Sequence, residues 1–310
     1  MELTCQPRAL YVITSQDIAR QRGLGTGPHA DRPRSRRAPL DRSGKSPKES
    51  RDTRFPESRR RFRALTLQIN NPLNVALFID LDGTVLDIAV SPRSVSTPHG
   101  LTTTLRRLQQ VLGGAVAILT GRKVDEVDRL LAPLKLIAAG VHGGELRLEP
   151  DGDVEVTSGS APGPLVAAVE RLARSVPGVI VEQKGTAIAV HYRAVPAIQP
   201  VLEIELRGLL DAHADRLVLS HGRKVIELIP RTSTKGAALK RLMGHNRFRG
   251  RRPVMIGDDS PDETALEMAT RLGGLGLKVK GEHFKVGATD FRDPAHVRRW
   301  LYDLAEQLDT

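Results

Sequence analysis

The chain holds one cysteine, Cys5, in 310 residues, which excludes a disulfide within the chain and fits a reducing compartment. No apolar run approaches the twenty or so residues of a membrane span, and the start lacks the basic-then-apolar pattern of a secretory signal. No internal repeat is visible either. A cytoplasmic protein with no membrane partner is the expectation, long enough for two domains or for one domain carrying a large insertion.

The net charge of +11 invites a nucleic-acid reading, so its position matters. Residues 1–71 hold 16 Lys and Arg against 7 Asp and Glu, a net of +9, whereas residues 72–310 hold 31 against 29. The basicity belongs to a head rich in Arg, Ser, Pro and Gly. Such a segment buries too little apolar surface to offset its ordering entropy, so residues 1–71 are expected to be disordered. A nucleic-acid-binding tail is the minority reading of this head. A translation start near residue 70 is the plain alternative.

After Pro72 the pattern becomes regular. Val75-Ala76-Leu77-Phe78-Ile79 reads as a buried strand and delivers Asp80-Leu81-Asp82-Gly83-Thr84. A helix near 98–111, a strand at 116–119 ending in Thr120-Gly121-Arg122, a further helix, and a strand at 136–139 follow. The last of these runs into Gly140-Val141-His142-Gly143-Gly144-Glu145. Strand–helix alternation of this kind builds right-handed βαβ units and a parallel sheet. From about 152 the texture changes to helices at 164–175 and 197–211 with strands at 179–181, 187–192, 216–219 and 224–229, the pattern of a small inserted α+β module. The first pattern resumes at Pro230, with a helix at 235–243, a strand at 253–256 ending in Gly257-Asp258-Asp259, a helix from 261, a strand at 275–279 and a helix near 294–307.

Carboxylates gathered at strand ends repel one another unless a cation neutralises them. A calcium loop starting at Asp80 fails, because Gly83 comes too early and Ser91 stands where a bidentate Glu is needed. Ser260-Pro261-Asp262-Glu263 is accounted for as a helix start, with Ser260 as N-cap and Glu263 closing a capping box. Asp258 and Asp259 fall before that cap and need another reason. One carboxylate of Asp80 and Asp82 can attack a phosphoryl group, and the other can shuttle the proton. A phosphate beside them calls for a divalent cation, with Asp80 and Asp258 as ligands, and oxygen ligands favour Mg²⁺. Thr120 stands where a helix is expected to begin, as either an N-cap or an anion site. Lys235 opens a helix where the dipole disfavours a cation, and a bound anion would reverse that penalty. Along extended strands Glu182 and Lys184 share a face, as do His191 and Arg193, and a turn at Lys184-Gly185-Thr186 brings the four together; the alternative is the wet face of a small sheet.

Asp80-x-Asp82-Gly-Thr, Thr120, Lys235 and Gly257-Asp258-Asp259 resemble, in order, the four motifs of the haloacid dehalogenase (HAD) superfamily. The resemblance also runs through Lys224–Ala237, and the stretches Ala139–Glu145 and Val181–Arg193 narrow it to trehalose-6-phosphate phosphatases. The resemblance implies an α/β fold: a Rossmann-like parallel-sheet HAD core at 72–155 and 230–310, with an inserted α+β cap at 156–229 of C2 type. It implies Asp80 as nucleophile, Asp82 as general acid and base, and Thr120 and Lys235 as phosphate ligands. Mg²⁺ would be held by Asp80, Asp258 and the Asp82 carbonyl, with Asp259 and Asp262 behind them. Gly121, Arg122, His142 and Glu145 would meet the substrate from the core, and Glu182, Lys184, His191 and Arg193 from the cap. Pro261 departs from the usual Thr, and Val85 from the usual Leu. The implied activity is hydrolysis of trehalose 6-phosphate, with a pathway link to a trehalose-6-phosphate synthase. A phosphatase for sucrose- or mannosyl-type phosphates keeps the chemistry and changes the substrate. An inactive binding protein with a basic tail is the reading from another class, and it predicts salt-sensitive binding that needs residues 1–71.

Overall fold

A computed structural model describes residues 72–89, 94–285 and 288–309. The expected disordered head at 1–71 lies outside the described residues. The described chain builds two sheets. The larger has seven strands in the order β11-β10-β1-β2-β3-β4-β5. Its central strands are β1 (Val75–Ile79), β2 (Val116–Leu119), β3 (Ile137–Gly140) and β10 (Arg252–Gly257), with β11 (Leu275–Lys278) at one edge. These five run parallel. β4 (Glu145–Arg147) and β5 (Glu155–Val156) extend the other side antiparallel.

β1 is buried on both faces, and its alternation divides the core. Val75, Leu77 and Ile79 face one layer, formed by α1 (Leu101–Val111), α2 (Val124–Leu131) and α7 (Pro294–Leu308). Ala76 and Phe78 face the other layer, formed by α5 (Lys235–Met243) and α6 (Glu263–Arg271), where Phe78 stacks on Phe248 at 5.2 Å. Near-continuous apolar strands are what a sheet covered on both faces demands.

The smaller sheet has the antiparallel order β6-β7-β9-β8: β6 (Ile180–Gln183), β7 (Ile188–His191), β8 (Leu217–Gly222) and β9 (Val225–Pro230). Ile188, Val190, Ile226 and Leu228 pack under α3 (Gly163–Arg174) and α4 (Gln199–Leu210). The alternate residues, Ala189 and Glu227 among them, therefore face away from those helices. The turn between β6 and β7 passes through Gly185 at φ +78°, as the sequence implied.

Two local expectations are corrected. The turn after β10 is capped by Asp259 rather than Ser260, and the reciprocal partner is Asp262 rather than Glu263. Asp259 sits one residue nearer the strand, so its carboxylate reaches the Ser260 N–H while Asp262 folds back, and Glu263 is left to pair with His283 at 2.9 Å. Thr120 does not open a helix either: α2 begins at Val124, and Thr120 Oγ1 accepts from the Arg122 N–H at 3.2 Å.

Candidate active site

In an open parallel sheet the strand ends leave backbone groups and polar side chains converging on one crevice. β1 runs directly into Asp80, β2 into Thr120 and β10 into Asp258, and His142 follows two residues after the end of β3. All four line a single cleft together with Asp82, Gly121, Arg122, Lys235, Asp259 and Asp262. The smaller sheet closes the cleft from above with Glu182, Lys184, His191 and Arg193. Glu145 alone among the expected residues does not line it. Its carboxylate accepts from the Val124 N–H at 2.8 Å and caps α2, which is where the dipole favours an anion.

The floor of the cleft is a buried acidic cluster. Asp80, Asp258 and Asp262 offer oxygens within 4.8 Å of one another. Lys235 Nζ lies 2.7 Å from Asp80 Oδ1 and 2.6 Å from Asp262 Oδ1. Burial works against its charge, yet Asp262 and Asp80 outweigh that and hold the ammonium protonated. These carboxylates are what make a cation tolerable at the start of α5. Asp262 has no oxygen to spare, since Oδ2 accepts from the N–H groups of Asp258 and Asp259 at 3.1 and 3.0 Å.

Asp80 and Asp258 are less well served. Thr84 Oγ1 stands 3.1 Å from an oxygen of each, and a hydroxyl has one hydrogen to give. Burial, with Asp262 adding to it, pushes Asp80 up to about 7. Burial, with Asp80 adding to it, pushes Asp258 up to about 9. Two carboxyls held this far above their ordinary range are short of positive charge, and a hard divalent ion with oxygen ligands is the group that supplies it. Gly83 completes the cradle: a Cβ there would lie 2.2 Å from Asp258 Oδ2. The residues present fit a metal ion.

Asp82 stands outside this close triad. Arg122 Nε and Nη2 reach its two oxygens at 2.6 and 2.7 Å. Glu126, one turn along α2, lies 3.5 Å from the same guanidinium.

The roof carries a second buried network that the sequence reading missed at its centre. Glu227 on β9 accepts from Lys184 Nζ at 2.8 Å and pairs with His142 Nε2 at 2.6 Å. Burial alone would raise Glu227, but Lys184 and His142 together hold it well below the usual carboxylate range. Lys184 also donates to the Gly121 carbonyl at 2.9 Å, so one ammonium ties roof to floor. His142 reaches Glu227 from a strained position, at φ +56° after Val141 at φ +49°. Glu182 pairs with His191 at 2.9 Å and stands 4.0 Å from Lys184. Arg193 donates to the carbonyls of Ala89 and Arg223, stitching roof to the loop after β1. The available signal for Glu227 was a lone acid inside Val225-Ile226-Glu227-Leu228-Ile229, because an acid in a buried strand needs a partner.

A match to the family described as trehalose-phosphatase covers residues 78–297, well over half the chain. The chain belongs to the trehalose-phosphatase family. It is 40% identical over 211 residues to a probable trehalose-phosphate phosphatase of Sinorhizobium fredii, covering 66% of this chain and 78% of that one. It is 33% identical over 206 residues to the trehalose-6-phosphate phosphatase of Escherichia coli, covering 66% of this chain and 77% of that one. In fold it is similar to the C-terminal domain of trehalose-6-phosphate phosphatase from C. albicans, with a TM-score of 0.66 at 19% identity over 79% of this chain and 97% of that one. This trehalose-phosphatase family member is thus a phosphatase with a sugar phosphate as substrate, and its buried acidic cluster serves metal-dependent catalysis. No helix among the described residues is long and apolar enough to cross a membrane.

Proposed function

We propose that the chain hydrolyses trehalose 6-phosphate to trehalose and phosphate in the cytoplasm, with Mg²⁺ as the metal. The observation that carries this is the meeting, in one cleft, of the acidic floor with a hydroxyl-matching roof of Glu182, Lys184, His191 and Glu227. The division of labour is a HAD-type core spanning 72–155 and 230–310 and a cap spanning 156–229. Polar partners on the cap select a sugar rich in hydroxyls, because a ligand lacking them leaves buried polar groups unpaired.

Asp80, Asp258 and the Asp82 carbonyl would hold Mg²⁺, which supplies positive charge against the phosphate. Lys235 and Thr120 orient the phosphoryl oxygens. An oxygen of the Asp80 carboxylate attacks phosphorus, the bond to the sugar oxygen breaks, and Asp82 gives that oxygen its proton. Water then attacks the aspartyl phosphate, Asp82 takes the proton back, and phosphate leaves with Asp80 restored. Closure of the roof keeps bulk water from the first step.

A panel of sugar phosphates assayed with Mg²⁺ tests the substrate. Trehalose 6-phosphate should be turned over with the highest kcat/KM. Equal turnover of glucose 6-phosphate, or preference for sucrose 6-phosphate or a mannosyl phosphate, would refute the assignment.

A further inference from the structure

The cap also meets the core at the tip of the β8–β9 hairpin. Gly222 pairs with Val225, so the turn between them is two residues long, Arg223 and Lys224. Arg223 lines the cleft, and its N–H donates to the Asp259 carboxylate, one residue from Asp258. Both side chains of the turn reach one core acid: Glu282 lies 3.1 Å from Arg223 Nε and 3.9 Å from Lys224 Nζ. That acid stands on a fixed loop. The Gly281 N–H donates to the Phe284 carbonyl at 3.0 Å, Phe284 is buried in the core, and His283 pairs with Glu263 on α6 at 2.9 Å. The same loop backs the acidic floor, because a Cβ on Gly281 would lie 3.2 Å from the Asp258 carbonyl oxygen. The tip is not built for ease of turning. Lys224 sits at φ +60°, where a two-residue hairpin ordinarily places Asn or Gly. A lysine held there serves the contact rather than the turn.

We propose that Glu282 is the core half of a cap catch: docking of the Arg223–Lys224 tip on it brings the polar roof into register over the acidic floor. Arg223 and Glu282 are thereby positioning residues for the turnover of sugar phosphates. This rests on the reading of residues 156–229 as a cap that closes over the substrate. The two side chains are 34% and 48% exposed, and ion pairs as exposed as this are weak. Weakness suits a catch that opens once per turnover to admit substrate and release product. The main-chain bond to Asp259 fixes where the tip lands, and the two cations on Glu282 bias it toward landing. Arg193 carries the docking inward, since it donates to the Arg223 carbonyl at 3.3 Å while lining the cleft beside Glu182 and His191. A phosphate small enough to be held by the floor alone gains nothing from this docking. One that spans floor and roof gains the orientation that its remote contacts supply.

Hydrogen exchange read by mass spectrometry on the full chain measures the docking without substrate. In Glu282→Gln the peptide carrying the Arg223 N–H should exchange about two- to fivefold faster, the fold-change that one exposed ion pair is worth. Peptides from β7 should keep their rate. Steady-state assays with Mg²⁺ measure the consequence. The KM for trehalose 6-phosphate should rise by a similar factor in Glu282→Gln, whereas 4-nitrophenyl phosphate, which has no sugar for the roof to meet, should keep its kcat/KM. Arg223→Gln should raise the same KM, and adding it to Glu282→Gln should add nothing, because the two side chains act as one pair. Unchanged exchange at the tip would overturn the catch, and so would equal loss with both substrates. A further loss in the double variant would also overturn it, because Arg223 would then act on the substrate by itself. If the unaltered enzyme prefers another sugar phosphate, the substrate assignment falls while the exchange result still decides the catch.

Discussion

Removing the metal should turn the acidic floor into a pH-dependent liability, and Asp258 is the residue with which to measure it. Its carboxyl titrates at about 9 in the folded chain against 3.8 when unfolded. Between those values the folded chain holds a proton that the unfolded chain has released. Stability contributed by this group is therefore complete below the unfolded value and is lost as pH rises toward 9. The slope for one such proton is about 1.4 kcal/mol per pH unit. For a protein of this size that corresponds to roughly 3–5 °C in Tm per pH unit. Asp258→Asn, which keeps the shape of the neutral acid, removes the slope. Thermal unfolding of both proteins in chelator from pH 5 to 8 should give curves that separate, with the unaltered chain falling relative to the variant at each step. Adding Mg²⁺ at a hundred times its Kd should raise the unaltered chain by about 2.7 kcal/mol, most clearly at high pH, and should leave the variant nearly unmoved. Parallel curves in chelator would refute the reasoning, because they would mean that Asp258 is charged without a metal.

Asp80→Asn should abolish turnover while leaving a folded protein, checked by phosphate release beside circular dichroism. Glu227→Ala should cost about 3–5 kcal/mol, since it strands Lys184 in a buried site, and calorimetry should show the loss. Glu145→Ala should cost only about 1 kcal/mol through the uncapped start of α2, with a small change in KM, measured by denaturant unfolding and steady-state kinetics. Glu182→Ala should raise KM for trehalose 6-phosphate by about tenfold or more while sparing a small aryl phosphate, and equal damage to both would mean that the roof does not touch the sugar.

The fold was legible where burial and period coincide. Val75–Ile79 and Val116–Leu119 are apolar throughout because both faces of a parallel sheet are covered. The acidic strand ends announced themselves for an electrostatic reason, since no packing argument explains Asp80 and Asp258. What stayed hidden depends on distance in space. The reach of the Glu145 carboxylate to the Val124 N–H spans 21 residues, and nothing local announces it. Glu227 was overlooked because its partners, His142 and Lys184, are 85 and 43 residues away. The cap at Asp259 was misplaced by one residue because Ser, Asp and Asn all serve as caps, and only the backbone at φ −125°, ψ 171° selects among them. The grip of Arg122 on Asp82 joins two motifs whose adjacency only the sheet order β1-β2 creates.

The bond from Lys184 to the Gly121 carbonyl has an evolutionary corollary. A tether that ends on main chain cannot be retuned by replacing the residue it lands on, and Gly121 is further constrained because a Cβ would strike His142 at 2.7 Å. Drift in how firmly this tether holds must therefore come from the ammonium's own end: the length of its stem, or the acids that compete for it.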